Sequence, residues 1–494
     1  MPTPSPDWSD LLPLAIDRAA PQTIYRQLYL ALRGLMLDGT LPAGSRLPPS
    51  RALAAKLGIA RSSVVGVYEQ LLAEGYVEGR TGAGTFVAPS LPEQPEPPQP
   101  GPAAEAPPPP PAVARYAPHL PDPGQFSPLP FNTGRTSIDE RSFQIWRGLA
   151  LAQWRVPDQH QLGYADPRGL PRLREAVARY LRAARAVHCE PEQILILNGV
   201  QQAIDLVAKV LVEPGDPVWV EDPAYPAMRS AMQTARARIV PVPVDEHGMV
   251  VQEGVKAAPV ARLAYVTPSH QYPLGHVLSM ARRTELLAWA REAHAWIIED
   301  DYDSEFRYAG RPLASLQGID RDNRVIYLGT LSKVLFPGLR LGYAVVPPEL
   351  LPAMTAARYL TDRHPPAMAE AMVADFIEQG HFAGHLRRMR AHYKAARDGL
   401  LTALEARLGG ALTIAPPDQG MHVLAYLGPS LLARGMTDQS LSAAARAKGV
   451  MLRPISPLFS AAPPRQGFML GFTGHAPHAL RAAVEKLVPL LHAA

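Results

Sequence analysis

Apolar residues recur along this chain in two rhythms. Near the N-terminus they return at helical spacing. Leu28, Leu32 and Leu35 line one face of a helix predicted over Ile24–Met36, and Leu41-Pro42-Ala43-Gly44 ends it. Ser50 reads as the N-cap of a short helix reaching Leu57, with Gly58 as its stop. A further helix from Arg61 to Glu74 carries Val64, Val65, Tyr68, Leu71 and Leu72. Two short helices joined by Gly58-Ile59-Ala60 predict a helix-turn-helix. Tyr76-Val77-Glu78 and Thr85-Phe86-Val87, on either side of a Gly-rich turn, predict a two-stranded wing.

The second rhythm begins past residue 128. Helical patterns such as Leu170–Leu181 and Gln201–Val212 alternate with strand-length apolar runs. These runs are Ile194–Leu197, Val218–Val220, Leu263–Val266, Ala295–Ile298 and Val325–Leu328. Such alternation predicts an α/β unit, a mostly parallel sheet covered by helices on both faces, with ligands gathered at the carboxyl ends of its strands. Between the two rhythms proline dominates: 12 of the 23 residues over 89–111. Proline fixes φ and donates no hydrogen bond, so this stretch is expected to be an extended spacer; a partner-binding proline motif is the other reading. The expected organisation is a DNA-binding-type unit at 20–88, a linker at 89–127 and a large unit at 128–494.

Composition changes this picture little. The 494 residues are 47% hydrophobic and 19% charged, which suits a soluble globular protein with a large core. The one cysteine, Cys189, excludes an internal disulfide and reads as a small, partly buried residue. The opening MPTPSPDWSD does not look like a leader, and no apolar run reaches the ~18 residues of a membrane span, so a cytoplasmic protein is expected. A net charge of +4 excludes a wholesale polycation, but the charge is uneven. Between Gly39 and Tyr68 stand Arg46, Arg51, Lys56 and Arg61 with no acid, which concentrates positive charge on the helix-turn-helix.

Chemistry is sought where strands end. Thr330-Leu331-Ser332-Lys333 follows one apolar run; a lysine in a cleft can lose its proton and attack an aldehyde, and the nearby Arg340 can pair with a phosphate. Another run leads into Glu299-Asp300-Asp301-Tyr302-Asp303. Carboxylates so close need a cation, a metal or a protonated partner. A pyridinium nitrogen is such a partner; Mg²⁺ is the rival, but no nucleotide-phosphate motif accompanies it and no metal is expected. Ile194–Leu197 runs into Asn198-Gly199-Val200-Gln201-Gln202, a helix start suited to one phosphate. Neither GxGxxG nor GxxxxGK[ST] is present, which disfavours dinucleotides and nucleoside triphosphates. Tyr225 stands after another run, placed to stack on a flat ring or to pack in the core.

Two sets of motifs carry a resemblance. Leu47-Pro48-Pro49-Ser50-Arg51-Ala52-Leu53-Ala54 and Glu74-Gly75-Tyr76-Val77, with Gly82-Ala83-Gly84-Thr85-Phe86-Val87, resemble the GntR-type winged helix. Ala60 stands where that family often has a capping serine, and Ser62 or Ser63 is expected to compensate in part. Double-stranded operator DNA is the expected partner of Arg46, Ser50, Arg51, Arg61, Ser62, Ser63, Tyr68 and Arg80, with Gly82 and Gly84 bringing the wing backbone close. The runs Ile298–Tyr308 and Gly329–Arg340 resemble fold-type I aminotransferases dependent on pyridoxal 5'-phosphate (PLP).

Together the two halves resemble the MocR/GabR subfamily of GntR regulators. The resemblance implies a smaller C-terminal subdomain and a PLP Schiff base on Lys333. It implies Asp300 against the ring nitrogen, Tyr302 on the ring's phenolic oxygen, and Tyr225 stacked on the ring. It assigns the phosphate to the Gly199, Val200 and Gln201 amides, Ser332 and Arg340. It implies a homodimer, head to tail and domain-swapped, in which Tyr164 reaches the neighbouring cofactor. Two positions depart from the aminotransferases: Tyr272 replaces an asparagine that contacts the cofactor, and Met469 replaces a carboxylate-binding arginine, for which Arg453 is the substitute. The expected function is transcription regulation in response to an amino acid, an amine or PLP itself, read through the Lys333 aldimine. The alternative is a working aminotransferase with an accessory DNA-binding domain.

Overall fold

The computed structural model describes residues 14–92, 127–155, 159–310 and 313–492. The spacer read into the proline-rich stretch falls almost entirely outside the described residues, as does the N-terminal decapeptide. The chain divides into two compact units, Met1–Ala112 and Val113–Ala494.

In the first unit, α1 (Ile24–Leu37) buries Leu28, Tyr29, Leu32 and Met36 on one stripe, and Thr23 caps it by accepting from the Arg26 amide. α2 (Ser50–Leu57) ends at Gly58 in the left-handed conformation, φ 61°. Its N-cap is Pro49 rather than Ser50, and no side chain caps it, so Ser50 is the first helical residue. α3 (Arg61–Ala73) buries Val64, Val67 and Leu71. Its inward stripe therefore runs through Val67, whereas Leu72 is half exposed. Ala60 is the α3 N-cap and no side chain caps the helix, so neither Ser62 nor Ser63 makes good the missing serine. The wing is an antiparallel pair, β1 (Val77–Arg80) and β2 (Gly84–Val87), in register from Val77↔Val87 to Arg80↔Gly84.

The second unit contains an eight-stranded sheet. Its strands are β3 (Ile194–Leu197), β4 (Pro217–Asp222), β5 (Arg238–Asp245), β6 (Gly248–Met249), β7 (Leu263–Val266), β8 (Trp296–Asp301), β9 (Val325–Thr330) and β10 (Gly342–Val345). Their order is β3-β10-β9-β8-β7-β4-β5-β6. The core from β9 to β5 is parallel; β10 runs antiparallel to both its neighbours, and β6 to β5. Successive residues feed opposite layers, which is why the runs are continuously apolar. Val218, Val220, Leu263, Tyr265 and Ile298 enter one hydrophobic cluster, while Trp219, Ala264, Val266 and Ile297 enter another. β8 continues through Asp301, so the acidic cluster begins inside the strand instead of after it.

The smaller subdomain is a four-stranded antiparallel sheet: β11 (Leu412–Ala415), β12 (His422–Leu427), β13 (Arg453–Pro454) and β14 (Gly467–Gly471), in the order β11-β12-β14-β13. Helix His381–Leu408 buries Leu400, Leu404 and Leu408 in the same core cluster as Val423 and Leu470 of this sheet. Cys189 is buried, and burial pushes its thiol up to about 11, which suits a packing residue. Among the described residues no helix is long and apolar enough to cross a membrane.

Candidate functional site

On the first unit, Arg46, Arg51, Arg61, Ser62 and Arg80 are exposed, while Ser50 and Ser63 are half-buried. Arg61 Nε donates to Ser50 Oγ at 3.5 Å, tying the starts of α2 and α3 together. Gly84 needs its missing side chain: at φ 115° an added Cβ would lie 3.1 Å from Arg46 Nε, so the wing and Arg46 share one surface. Arg80 lies over the Phe86 ring and pairs with Glu78. Tyr68 points inward, its hydroxyl donating to Pro48 O at 2.8 Å.

On the second unit, strand ends converge. The parallel strands β4, β7, β8 and β9 finish at one edge, as β3 does; β10, running the other way, begins there. Gly342 of β10 pairs with both Leu197 and Thr330, so the residues just before it are delivered to the same edge. Arg340, two positions earlier, takes a left-handed conformation (φ 53°) and its Nη2 donates to Asn198 O at 2.7 Å. Its guanidinium lies beside Gly199, which at φ 106° opens helix Val200–Leu211. A helix N-terminus and an arginine thus stand together, two halves of a phosphate cradle. Ser332 sits in the turn after β9, its amide donating to Thr330 Oγ1.

The acids of β8 sort onto separate partners. Glu299 accepts the Leu316 and Gln317 amides at 2.8 Å. Asp301 pairs with the buried Arg185 at 2.8 Å and accepts from Tyr327. Asp303 meets His270 Nδ1 at 2.9 Å. Asp300 differs. Its Oδ2 accepts from Tyr265 and its Oδ1 is buried with no partner among the described residues; Asp301 Oδ1 is open too, but Asp301 has its ion pair with Arg185, and Asp300 has no ion pair among the described residues. Burial pushes Asp300 up to about 7, opposed by the Tyr265 hydrogen bond and aided by Asp301 and Asp303. A carboxylate kept like this is a site for an N–H⁺ donor.

Lys333 follows β9 in a four-residue helical turn. Burial holds its ammonium below the usual lysine range; Asp303 and Asp300 oppose that shift and Arg453 adds to it. Gly134, at φ 77°, passes so close that an added Cβ would lie 2.6 Å from Lys333 Nζ and would push the amine aside. Tyr302 Oη lies 3.0 Å from His270 Nδ1. In the tautomer with its hydrogen on that nitrogen, His270 donates to the Asp303 carboxylate, which leaves the phenol its own proton to donate; burial and Asp303 keep the phenol protonated.

Tyr272 meets both Tyr225 and Tyr302 edge-on. Tyr225, Tyr272, Arg453 and Met469 line a cleft of about 670 Å³. Arg453 stands directly across the strand pair from Met469, and its Nε donates to Asn132 Oδ1 at 3.1 Å. Tyr164 is apart from this group: it is 79% exposed and Arg363 lies over its ring. Tyr265, His270, Arg185 and Gly134 escaped the sequence reading. Tyr265 was legible only as part of an apolar run, and the other three lie far from Asp300 in sequence.

A winged helix in one unit and a lysine, an open carboxylate and an arginine at one sheet edge in the other define the class: a DNA-binding protein carrying an aminotransferase-like unit. Residues 24–87 match the family of bacterial regulatory proteins, gntR family, and residues 148–487 match aminotransferase class I and II. Among relatives, the probable rhizopine catabolism regulatory protein MocR of Rhizobium meliloti is 39% identical, over 96% of this chain and 95% of its own. The HTH-type pyridoxine biosynthesis transcriptional regulator PdxR of Corynebacterium glutamicum is 31% identical, over 95% and 96%. The crystal structure of a multiple substrate aminotransferase from Thermococcus profundus is similar at a TM-score of 0.67 and 28% identity, covering 74% of this chain and 91% of that one. The chain belongs to the MocR/GabR subfamily of GntR-type transcription regulators. It is a regulator whose cofactor is PLP, and the residues at the sheet edge fit that group.

Proposed function

We propose that the larger unit senses an amino acid, an amine or PLP itself, and that its occupancy alters operator binding by the winged helix. The observation that carries this reading is the presence at one sheet edge of Lys333, whose charge burial disfavours, and Asp300, whose Oδ1 has no partner among the described residues. PLP, when bound, supplies an aldehyde that condenses reversibly with amines and a ring that draws electrons. Lys333 Nζ, readily neutral, is the nucleophile that would hold it. Asp300 Oδ1 would keep a proton on the ring nitrogen, Tyr302 would donate to the phenolic oxygen and Tyr225 would cover the ring face. The Gly199, Val200 and Gln201 amides, Ser332 and Arg340 would hold the phosphate. Arg453 would take an effector carboxylate in place of the arginine that Met469 displaces.

A ligand shifts domain arrangement only through differential affinity for two states, so effector and DNA must each change the other's affinity. The reading includes double-stranded operator DNA at Arg46, Ser50, Arg51, Arg61, Ser62, Ser63, Tyr68, Arg80, Gly82 and Gly84, and a cytoplasmic location. It includes a head-to-tail, domain-swapped homodimer, supported by the exposed apolar side chains Leu151, Trp154, Leu162, Tyr164 and Leu360. The test is operator binding by the full chain, measured with PLP and with PLP plus each of a panel of amino acids and amines. PLP, alone or with one amine, is expected to change operator affinity in the wild type and not in Lys333→Ala. Sustained transamination without specific DNA binding would overturn the reading in favour of an enzyme.

A further inference from the structure

We infer that Tyr265 positions Asp300 for the cofactor: its hydroxyl occupies one carboxylate oxygen and leaves the other as the atom that meets the ring nitrogen. The inference rests on the assignment of Asp300 as the ring's partner. β7 and β8 are adjacent and parallel, with Tyr265 opposite Ile298. Asp300, two residues further on, therefore shares the face of the sheet to which Tyr265 points. Tyr265 is 1% exposed and its Oη lies 2.5 Å from Asp300 Oδ2. Oδ1 is equally buried and has no partner among the described residues. With neither oxygen bonded, the carboxylate could turn about its terminal torsion, which is broad and two-fold; one fixed oxygen removes that freedom.

The hydroxyl also has an electrostatic part. Asp300 faces Asp301, Tyr302 and Asp303 from its own stretch of chain, Glu221 from β4, Tyr225 from the cleft, and Lys333 from the turn after β9. Burial and the surrounding acids favour a neutral Asp300, which could not pair with a pyridinium. Tyr265 favours the charged form. Its own proton is secure, because burial and Asp300 raise it well above the usual phenol range. Among the described residues no other hydrogen bond reaches the Asp300 carboxylate, so no second donor duplicates this role.

The test is a double-mutant cycle on PLP affinity, read by cofactor absorbance and intrinsic fluorescence, with thermal melts of each apo-protein. Y265F is expected to weaken PLP binding about tenfold, the worth of one hydrogen bond to a charged group. D300N is expected to weaken it at least as much, and Y265F/D300N no further than D300N alone. Wild-type affinity in Y265F, or a full extra tenfold loss on adding it to D300N, overturns the inference, the second by showing that Tyr265 acts through packing. If Y265F and the double variant both fail to fold, Tyr265 is a core element and the inference falls. If the wild type itself does not bind PLP, the assignment of Asp300 fails first, and that result is separate from every outcome of the cycle.

Discussion

The basic face of the winged helix and the edge of the eight-stranded sheet handle charge in opposite ways. Around Arg46, Arg51 and Arg61 the side chains are exposed, and the pair formed by Arg80 and Glu78 stays in water. At the sheet edge Asp301 and Arg185 are both out of water, and nearly every carboxylate has named partners. The first region keeps charge available for a large anion that brings its own counter-charge. The second neutralises Asp301 with Arg185 and leaves Asp300 with an open oxygen and no ion pair among the described residues. A buried carboxylate without an ion pair marks the position of chemistry more sharply than abundance of charge does.

Lys333→Ala gives the largest effect on this contrast. Covalent PLP attachment is expected to vanish, checked by borohydride reduction and mass spectrometry of the peptide carrying residue 333. Because burial holds the Lys333 ammonium below the usual lysine range, attachment in the wild type should persist at a pH where an exposed lysine is protonated and unreactive. A pH profile matching that of a free lysine would put Lys333 in water and break the comparison.

Arg185→Ala comes next. It strands Asp301 without its cation, and about 3–5 kcal/mol of unfolding free energy should be lost in denaturant titration. Arg80→Ala, which breaks an exposed pair, should leave stability unchanged. Equal losses would show that burial does not separate the two regions. Arg61→Ala should weaken operator binding about tenfold and flatten its salt dependence, with only a small drop in melting temperature from the lost bond to Ser50. The smallest effect is a gain: Ala60→Ser supplies the cap that α3 lacks and should raise the first unit's stability by about 1 kcal/mol.

The two regions also differ in how much of them could be read in advance. The winged helix is one continuous stretch whose helices, turn and hairpin follow from spacing and glycine placement. The misses there are a shifted cap at Pro49 and a stripe through Val67. The parallel strands of the larger unit were equally plain as apolar runs. The exceptions are β5, whose apolar pattern is interrupted by Pro241 and Pro243, and β10 with the antiparallel sheet β11–β14, where β10, β11 and β13 have four residues or fewer.

Residue identity and local pattern alone determined the helix-turn-helix, the alternating α/β plan and the strand ends at which Lys333, Asp300, Gly199 and Tyr225 stand. Strand order and direction decided the rest. That Arg340 reaches Gly199 depends on β10 running backwards between β3 and β9. That Tyr265 reaches Asp300 depends on which strand lies beside β8. Periodicity reports which way a side chain points from its own backbone; which groups it then meets is set by chain segments far apart in sequence, and only packing brings them together.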